Sequence, residues 1–173
     1  MNMASNKPII VSVFAGLGKS TVGNKYTNVC DLQSSPYRCI YDNYPSEDYE
    51  KLKYDSSRTP NPDWPDNYLQ AIRAAIKRYD IVLVPSSEDV RELLIDNSLE
   101  FVFVMPSIEM KDDLLSRYVE RGNSKEMVDD VMTIFDTWSR DPKAYSYKLE
   151  VLRRGMFLED LLLEKGYLSK DGS

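Results

Sequence analysis

The sequence predicts a three-layer α/β domain on a mostly parallel sheet, and three kinds of segment carry that prediction. Short β-branched apolar runs ("PIIVSVF", "DIVLVP", "EFVFVMP") recur along the chain. They have the length and composition of strands buried on both faces. Segments with apolar residues at helical spacing lie between them, which is the alternation of an α/β domain. A glycine loop, "FAGLGKSTV", follows the first run and leads into the first helical segment.

Taken in order, Ile9 to Val13 forms a buried strand that ends at the glycine loop. A helix starts at Lys19 and runs to about Tyr26, with Val22 and Tyr26 on one face. "NVCDL" gives a brief second strand ending at Asp31. From Gln33 to Pro65 the chain is polar and tyrosine-rich, with Pro36, Pro45, Pro60 and Pro62 before the closing Pro65. So long an irregular connection is unusual unless it is a binding loop or partly disordered, and a short helix around Ser46 to Leu52 fits within it. "DNYLQAIRAAIKRY" sets Leu69, Ile72, Ile76 and Tyr79 at helical spacing, and Asp80 to Pro85 is the next buried strand. Ser86 with Asp89 has the pattern of a capping box for a helix through Val90, Leu93 and Leu94. After "EFVFVMP", Ser107 caps a helix that turns Leu114 and Tyr118 inward and ends at Gly122. Asn123 and Glu126 then cap a helix striped with Val128, Val131, Ile134, Phe135 and Trp138. "YKLEVLR" is the last strand, and Gly155 turns it into a terminal helix with Phe157, Leu158, Leu161 and Leu162.

Composition narrows the function. The chain has 173 residues, 42% hydrophobic and 29% charged, which suits a globular domain with a sizeable core. A formal net charge of −6 argues against a nonspecific binder of polymeric nucleic acid. No apolar run is long enough to cross a bilayer, and "MNMASNKP" lacks the apolar core of a secretory signal, so a cytoplasmic protein is expected. Cys30 and Cys39 read as reduced packing residues, since no second pair completes a metal framework. With no histidine in the chain, histidine-based triads and imidazole metal sites are excluded. Chemistry must rest on lysine, arginine, carboxylates, hydroxyls, backbone amides and a bound cation.

The loop matches the end of a phosphate-binding pattern, Gly18-Lys19-Ser20, but that pattern asks for glycine at position 13, where this chain has Val13. Gly16 and Gly18 let backbone amides turn inward and approach a phosphate closely. The amides from Leu17 to Thr21 make most of such a nest, with Ala15 and Gly16 leading into it, and the helix start at Lys19 adds its positive end. Lys19 would reach the terminal phosphates, Ser20 would ligate magnesium, and Thr21 would support the phosphate end through its hydroxyl or amide. The competing reading is a glycine turn that holds no ligand.

Arginines and one carboxylate extend the pattern. The strand ending in Pro85 and Ser86 lacks the magnesium-facing aspartate of a GTPase or motor ATPase. Asp31 is the carboxylate closest along the fold to the phosphates, facing either an acceptor and a magnesium-bound water or simply solvent. Arg117 and Arg121 lie on one helix face directly before Gly122, as a closing lid would need, although cations also favour a helix C-terminus for its own sake. Arg91 either grips an acceptor phosphate or pairs on the surface with Glu88 or Glu92. Trp64 anchors the long loop to the next helix, while Asn61 and Asn67 either read a base or cap the backbone. Five tyrosines between Tyr37 and Arg58 (Tyr37, Tyr41, Tyr44, Tyr49, Tyr54) form a base pocket or a packing flap.

On "FAGLGKST", "CDLQSS", "NPDWPDNY", "YDIVLVPSSEDVR" and "RYVERGNS", the chain from Pro8 to about Lys165 resembles the small P-loop kinase-like proteins of phages and Gram-positive bacteria, related to nucleoside monophosphate kinases. The resemblance implies a five-stranded parallel sheet of order 2-3-1-4-5, in a single domain over residues 1–173 with an acceptor-side insert at 33–65 and a small lid at about 117–126. It implies ATP and magnesium at Lys19 and Ser20. Asp31, Ser34 and Ser35 would face the acceptor, Arg91 its phosphate, Arg117 and Arg121 would belong to the lid, and Arg154 would rest against the adenine. Ala15 departs from the family along with Val13, since proline is common there. The activity implied is transfer of the ATP γ-phosphate to a nucleoside or deoxynucleoside monophosphate, in the host cytoplasm if the chain is phage-encoded. A nucleotide-binding regulatory protein and a kinase of another small hydroxylated acceptor are the alternatives, and both monomer and homodimer fit.

Overall fold

The structure, a computed structural model, describes residues 7–41, 58–137 and 148–170. Its centre is a five-stranded sheet made of β1 (Ile9–Val13), β2 (Val29–Asp31), β5 (Ile81–Pro85), β6 (Phe101–Pro106) and β7 (Lys148–Leu152). The spatial order is β2-β5-β1-β6-β7 and every pairing is parallel. Counted among the sheet strands alone, this is the order 2-3-1-4-5. Val11, Val82, Leu83, Val84, Val104 and Met105 are fully buried, as central parallel strands must be when helices cover both faces. The one polar residue inside β1, Ser12, donates its hydroxyl to the carbonyl of Pro85 at 3.1 Å.

The flanking helices follow their apolar periods. These are α1 (Lys19–Lys25), α2 (Ser35–Arg38), α3 (Asp66–Ala75), α4 (Glu88–Asp96), α5 (Lys111–Glu120), α6 (Lys125–Thr137) and α7 (Leu158–Glu164). α3 buries Tyr68, Leu69, Ile72 and Ala75, α5 buries Leu114 and Tyr118, and α7 buries Leu158, Leu161 and Leu162. Among the described residues no helix is long and apolar enough to cross a membrane. Both cysteines are free thiols.

Several local expectations are corrected. The interval between α1 and α3 is not irregular throughout. It contains α2 and an antiparallel ribbon of β3 (Cys39–Tyr41) with β4 (Arg58–Pro60), paired Cys39 to Pro60 and Tyr41 to Arg58. The capping box at Ser86 does not form: Ser87 is the N-cap of α4, and Asp89 turns its carboxylate to Arg38 instead. Ser124, not Asn123, accepts the Met127 amide at the start of α6. Ser107 stands before a 3-10 turn, Ile108–Met110, without a side-chain cap. Phe157 is the exposed N-cap of α7, just before the helix rather than within it. The helix expected at Ser46 to Leu52, Trp138, and tyrosines 44, 49 and 54 fall outside the described residues, and the Ile134 side chain likewise.

Gly122 proves to be a helix terminator. It has φ 73°, its N–H donates to Val119 O at 3.0 Å, and the Asn123 N–H donates to Tyr118 O at 3.1 Å. That pair of bonds is a Schellman motif, in which glycine supplies the left-handed residue after the last helical turn. The segment expected as a lid is therefore the tight turn between α5 and α6, which pack against each other.

Candidate functional site

Val13 causes no strain, because it is the last residue of β1. It is fully buried and pairs with Pro85 on one side and Val104 on the other. Phe14 remains in the core: its N–H donates to Val104 O at 3.1 Å and its ring meets Phe135 edge-on at 5.9 Å. The turn itself is made by Ala15 to Gly18, and the left-handed backbone falls on Gly16 (φ 83°) and Gly18 (φ 100°), where glycine is present.

Three successive carbonyls of this turn are tied to neighbouring helices. Ala15 O accepts from the Tyr118 hydroxyl at 2.5 Å, Gly16 O from Arg117 Nη1 at 3.3 Å, and Leu17 O from the Leu158 amide at 3.1 Å. In a trans peptide the following N–H points opposite to its carbonyl. The N–H groups of Gly16, Leu17 and Gly18 thus point away from those three bonds. Successive backbone N–H groups in a turn can form an anion-binding concavity. α1 opens directly after them at Lys19, with Gly18 as an N-cap that provides no side-chain bond. Lys19 is half-buried at this edge, while Ser20 and Thr21 are exposed. The donor set therefore suits polyphosphate: backbone amides, one ammonium and two exposed hydroxyls, of which Ser20 follows the lysine and could ligate a hard cation. Among the described residues no cluster of three acidic or thiol side chains could hold a metal by itself.

α5 and α7 wall this site. Arg117 lies with its guanidinium 5.1 Å from the centre of the Phe157 ring, and Phe157 is 55% exposed. Beside them a cleft of about 250 Å³ is lined by Gly18, Thr21, Val22, Phe157, Glu159 and Asp160. Two of its acids have structural partners. Glu159 accepts from Lys25 at 2.6 Å and Tyr26 at 2.7 Å, and these bonds, Lys25 first, hold its carboxyl below the ordinary carboxylate value. Asp160 accepts the Phe157 amide at the start of α7. Arg154 lies elsewhere, bonded to Asp113 of α5 at 3.1 Å, so it does not line the cleft. Arg121 is exposed at the C-cap of α5.

The acceptor side expected from the sequence is organised by a residue that the sequence reading passed over, Arg38. Its Nε donates to Ser34 Oγ at 2.9 Å, its Nη2 to Ser87 Oγ at 2.9 Å, and its two terminal nitrogens form a fork on Asp89. Its guanidinium also lies 4.1 Å from the Trp64 ring centre, a stacked cation-π contact. Burial opposes ionisation of Asp89, but the bonds from Arg38 and Ser87 outweigh it and hold the carboxyl below its ordinary value. Trp64 also stacks on Tyr68 at 5.4 Å, which supports its anchoring role. Tyr68 is fully buried, which drives its phenol well above the ordinary value, and it donates to Leu32 O at 2.6 Å.

The remaining expected residues divide by burial. Ser34 and Ser35 are both 8% exposed. Asp31 ends β2, and Gly23 of α1 makes room for it, since a β-carbon there would stand 2.7 Å from Asp31 Cβ. Asn61 and Asn67 take the backbone option: Asn61 Oδ1 accepts the Asp63 amide, while Asn67 bonds Tyr37 O and the Tyr68 amide. Arg91 is no surface residue. It is 6% exposed, donates from Nε to Ser86 O at 3.0 Å and packs over Phe103 at 4.8 Å.

A scan against protein-family models finds none that matches this chain, and a search of curated proteins finds no match either.

Proposed function

We propose that the protein is a phosphotransferase that moves the γ-phosphoryl group of ATP, with magnesium, to a nucleoside or deoxynucleoside monophosphate in the cytoplasm. The observation that carries this reading is the turn from Ala15 to Gly18, whose carbonyls are bonded to α5 and α7, so that the paired amides point away from those bonds directly before Lys19 and Ser20. The turn stands where β1 ends, beside the crossover from β5 to β6, and open α/β sheets bind ligands at such switch points. Polymeric nucleic acid is not the intended partner, given the acidic surface.

Phosphoryl transfer calls for positioning and charge neutralisation rather than a covalent intermediate. The loop amides would hold the donor phosphates, Lys19 would neutralise their outer charge, and Ser20 would hold magnesium, whose charge would add to that neutralisation. The exposed Phe157 ring with Arg117 beside it offers a base a stacking surface next to the phosphates. Across the carboxyl edge of the sheet, Arg38 is the guanidinium of the acceptor side nearest solvent, with its side chain 30% exposed. Arg91 supports that wall from beneath, and Asp31 orients the acceptor.

The test is transfer of labelled phosphate from ATP across a panel of nucleoside monophosphates and nucleosides with magnesium present. The expected result is transfer to monophosphates, lowered by orders of magnitude in Lys19→Ala. Nucleotide binding without transfer would leave a regulatory binder, and transfer to a nucleoside alone would make the acceptor a hydroxyl group. Calorimetry that finds neither ATP nor GTP bound to the wild type would reduce the loop to a structural turn.

A further inference from the structure

We infer that Tyr118 is the positioning residue of this loop: its hydroxyl fixes the Ala15–Gly16 peptide so that the Gly16 N–H faces the bound phosphate. The inference rests on the phosphate-binding reading above and assigns the loop's geometry to a side chain outside it. Tyr118 is 1% exposed, and its O–H reaches Ala15 O at 2.5 Å. The ring fills the space beside the loop so closely that a β-carbon on Gly16 would lie 2.7 Å from Tyr118 Cε1. The next residue back on α5, Arg117, ties the following carbonyl, Gly16 O. Two adjacent side chains of one helix therefore set two adjacent peptides of the loop.

The chain needs such a device because its strand runs on where the usual pattern has a glycine. Val13 and Phe14 are locked into the core, so Ala15 to Gly18 must complete the turn alone. Without a donor on the outer side, the Ala15 carbonyl can rotate inward, where its negative end would face a phosphate and its partner N–H would face the protein. A phenol suits the task, since burial pushes Tyr118 well above its ordinary value and keeps it a proton donor, against the opposing pull of Arg121 and Arg117. Because Tyr118 sits on the helix that carries both arginines, the loop and the arginine-bearing helix are set as one unit.

The experiment compares wild type, Tyr118→Phe and Leu114→Ala for binding of ADP and of inorganic pyrophosphate, at a temperature where circular dichroism shows all three folded. Leu114 is buried on the same helix face but bonds no loop peptide in the structure, so its truncation reports packing loss alone. Amide NMR shifts of Gly16, Leu17 and Gly18 are followed during the titrations. Tyr118→Phe is expected to weaken both probes about tenfold or more, with loss of the Gly16 shift. Leu114→Ala should stay within about twofold, and 4-aminophenylalanine at position 118, which restores a donor, should recover binding. Equal weakening by Leu114→Ala, or wild-type affinity in Tyr118→Phe, overturns the positioning role alone. No binding of either probe to the wild type overturns the phosphate reading and this role with it.

Discussion

Val13 and Gly16 show how much depends on which residue carries an unusual conformation. Position 13 has a strand conformation, so the valine contributes a buried side chain instead of strain. Val13→Gly should therefore cost about 2–3 kcal/mol of stability through lost burial and added strand entropy. ATP affinity should change by less than about tenfold, roughly 1.4 kcal/mol. Urea unfolding beside calorimetry separates the two effects, and a large affinity gain would show that valine impairs the loop. Gly16→Ala should behave oppositely, since it combines φ +83° with a β-carbon 2.7 Å from Tyr118, and it should abolish nucleotide binding in a protein that still folds. At the acceptor side, the carboxyl of Asp89 lies below its ordinary value of 3.8 in the folded state. Its contribution is therefore complete above that value and is lost as pH falls through the lower folded value. Asp89→Asn should cost about 1 kcal/mol or less at neutral pH, because the pair is half-exposed. Its stability should also fall less steeply below pH 4 than the wild type's, a difference that denaturation at a series of acid pH values would reveal.

Helix ends and close approaches make the same point for whole elements. Three described helices end in the same Schellman pair of bonds. Gly122 and Gly166 hold the left-handed position in two of them, but Ser98 holds it in α4 with φ 54°. Ser98→Gly should relieve that strain and raise stability by about 0.5–1 kcal/mol, a melting-point gain of about 1–4 °C. A calorimetric scan that finds no gain would mean that the unfolded-state entropy of glycine cancels the relief. Gly23 is a further case, because glycine weakens α1 but admits the end of β2. Gly23→Ala should improve helix propensity yet push Asp31 away, for a net loss of about 1–3 kcal/mol by overpacking. The sequence made the sheet legible because "PIIVSVF", "DIVLVP" and "EFVFVMP" need no partner to be recognised as buried strands. Helical spacing likewise showed that Tyr118 turns inward. It could not show that the ring meets Ala15 and Gly16, since spacing gives a face and not its neighbour. The ribbon β3–β4 was hidden because its pairs are far apart in sequence, and polar residues and prolines mask the alternation. Arg38 left no signal because its partners Asp89 and Ser87 lie about fifty residues away. Ser86 and Ser87, like Asn123 and Ser124, are adjacent cap candidates, and only backbone angles choose between them.

Across the whole molecule, a net negative charge coexists with a few cations near the ends of the central strands. The net charge is −6, yet Lys19, Arg38 and Arg117 all lie near the carboxyl ends of these strands, and Arg121 caps the helix that carries Arg117. Such a distribution draws a small polyanion into a cleft while repelling a long one. Arg117 and Arg121 should then divide the work, because the fold gives them different surroundings. Arg117 is held against Gly16 O and the Phe157 ring, so it forms part of the wall. Arg117→Ala should weaken nucleotide binding about as much as it lowers kcat/KM, the mark of an interaction made equally in ground and transition states. Arg121 is exposed at the helix end, one turn further from the loop than the bonds that hold Arg117 and Tyr118. A guanidinium that engages the phosphates only as charge spreads during transfer contributes most to the transition state. Arg121→Ala should therefore lower kcat by at least about a hundredfold, roughly 2.7 kcal/mol, with ATP affinity within about threefold of wild type. Steady-state kinetics with equilibrium binding on both variants would expose the split. Equal losses of binding in the two would make Arg121 a static wall residue, and an unchanged kcat in Arg121→Ala would leave Lys19 as the cation that neutralises the transferring group.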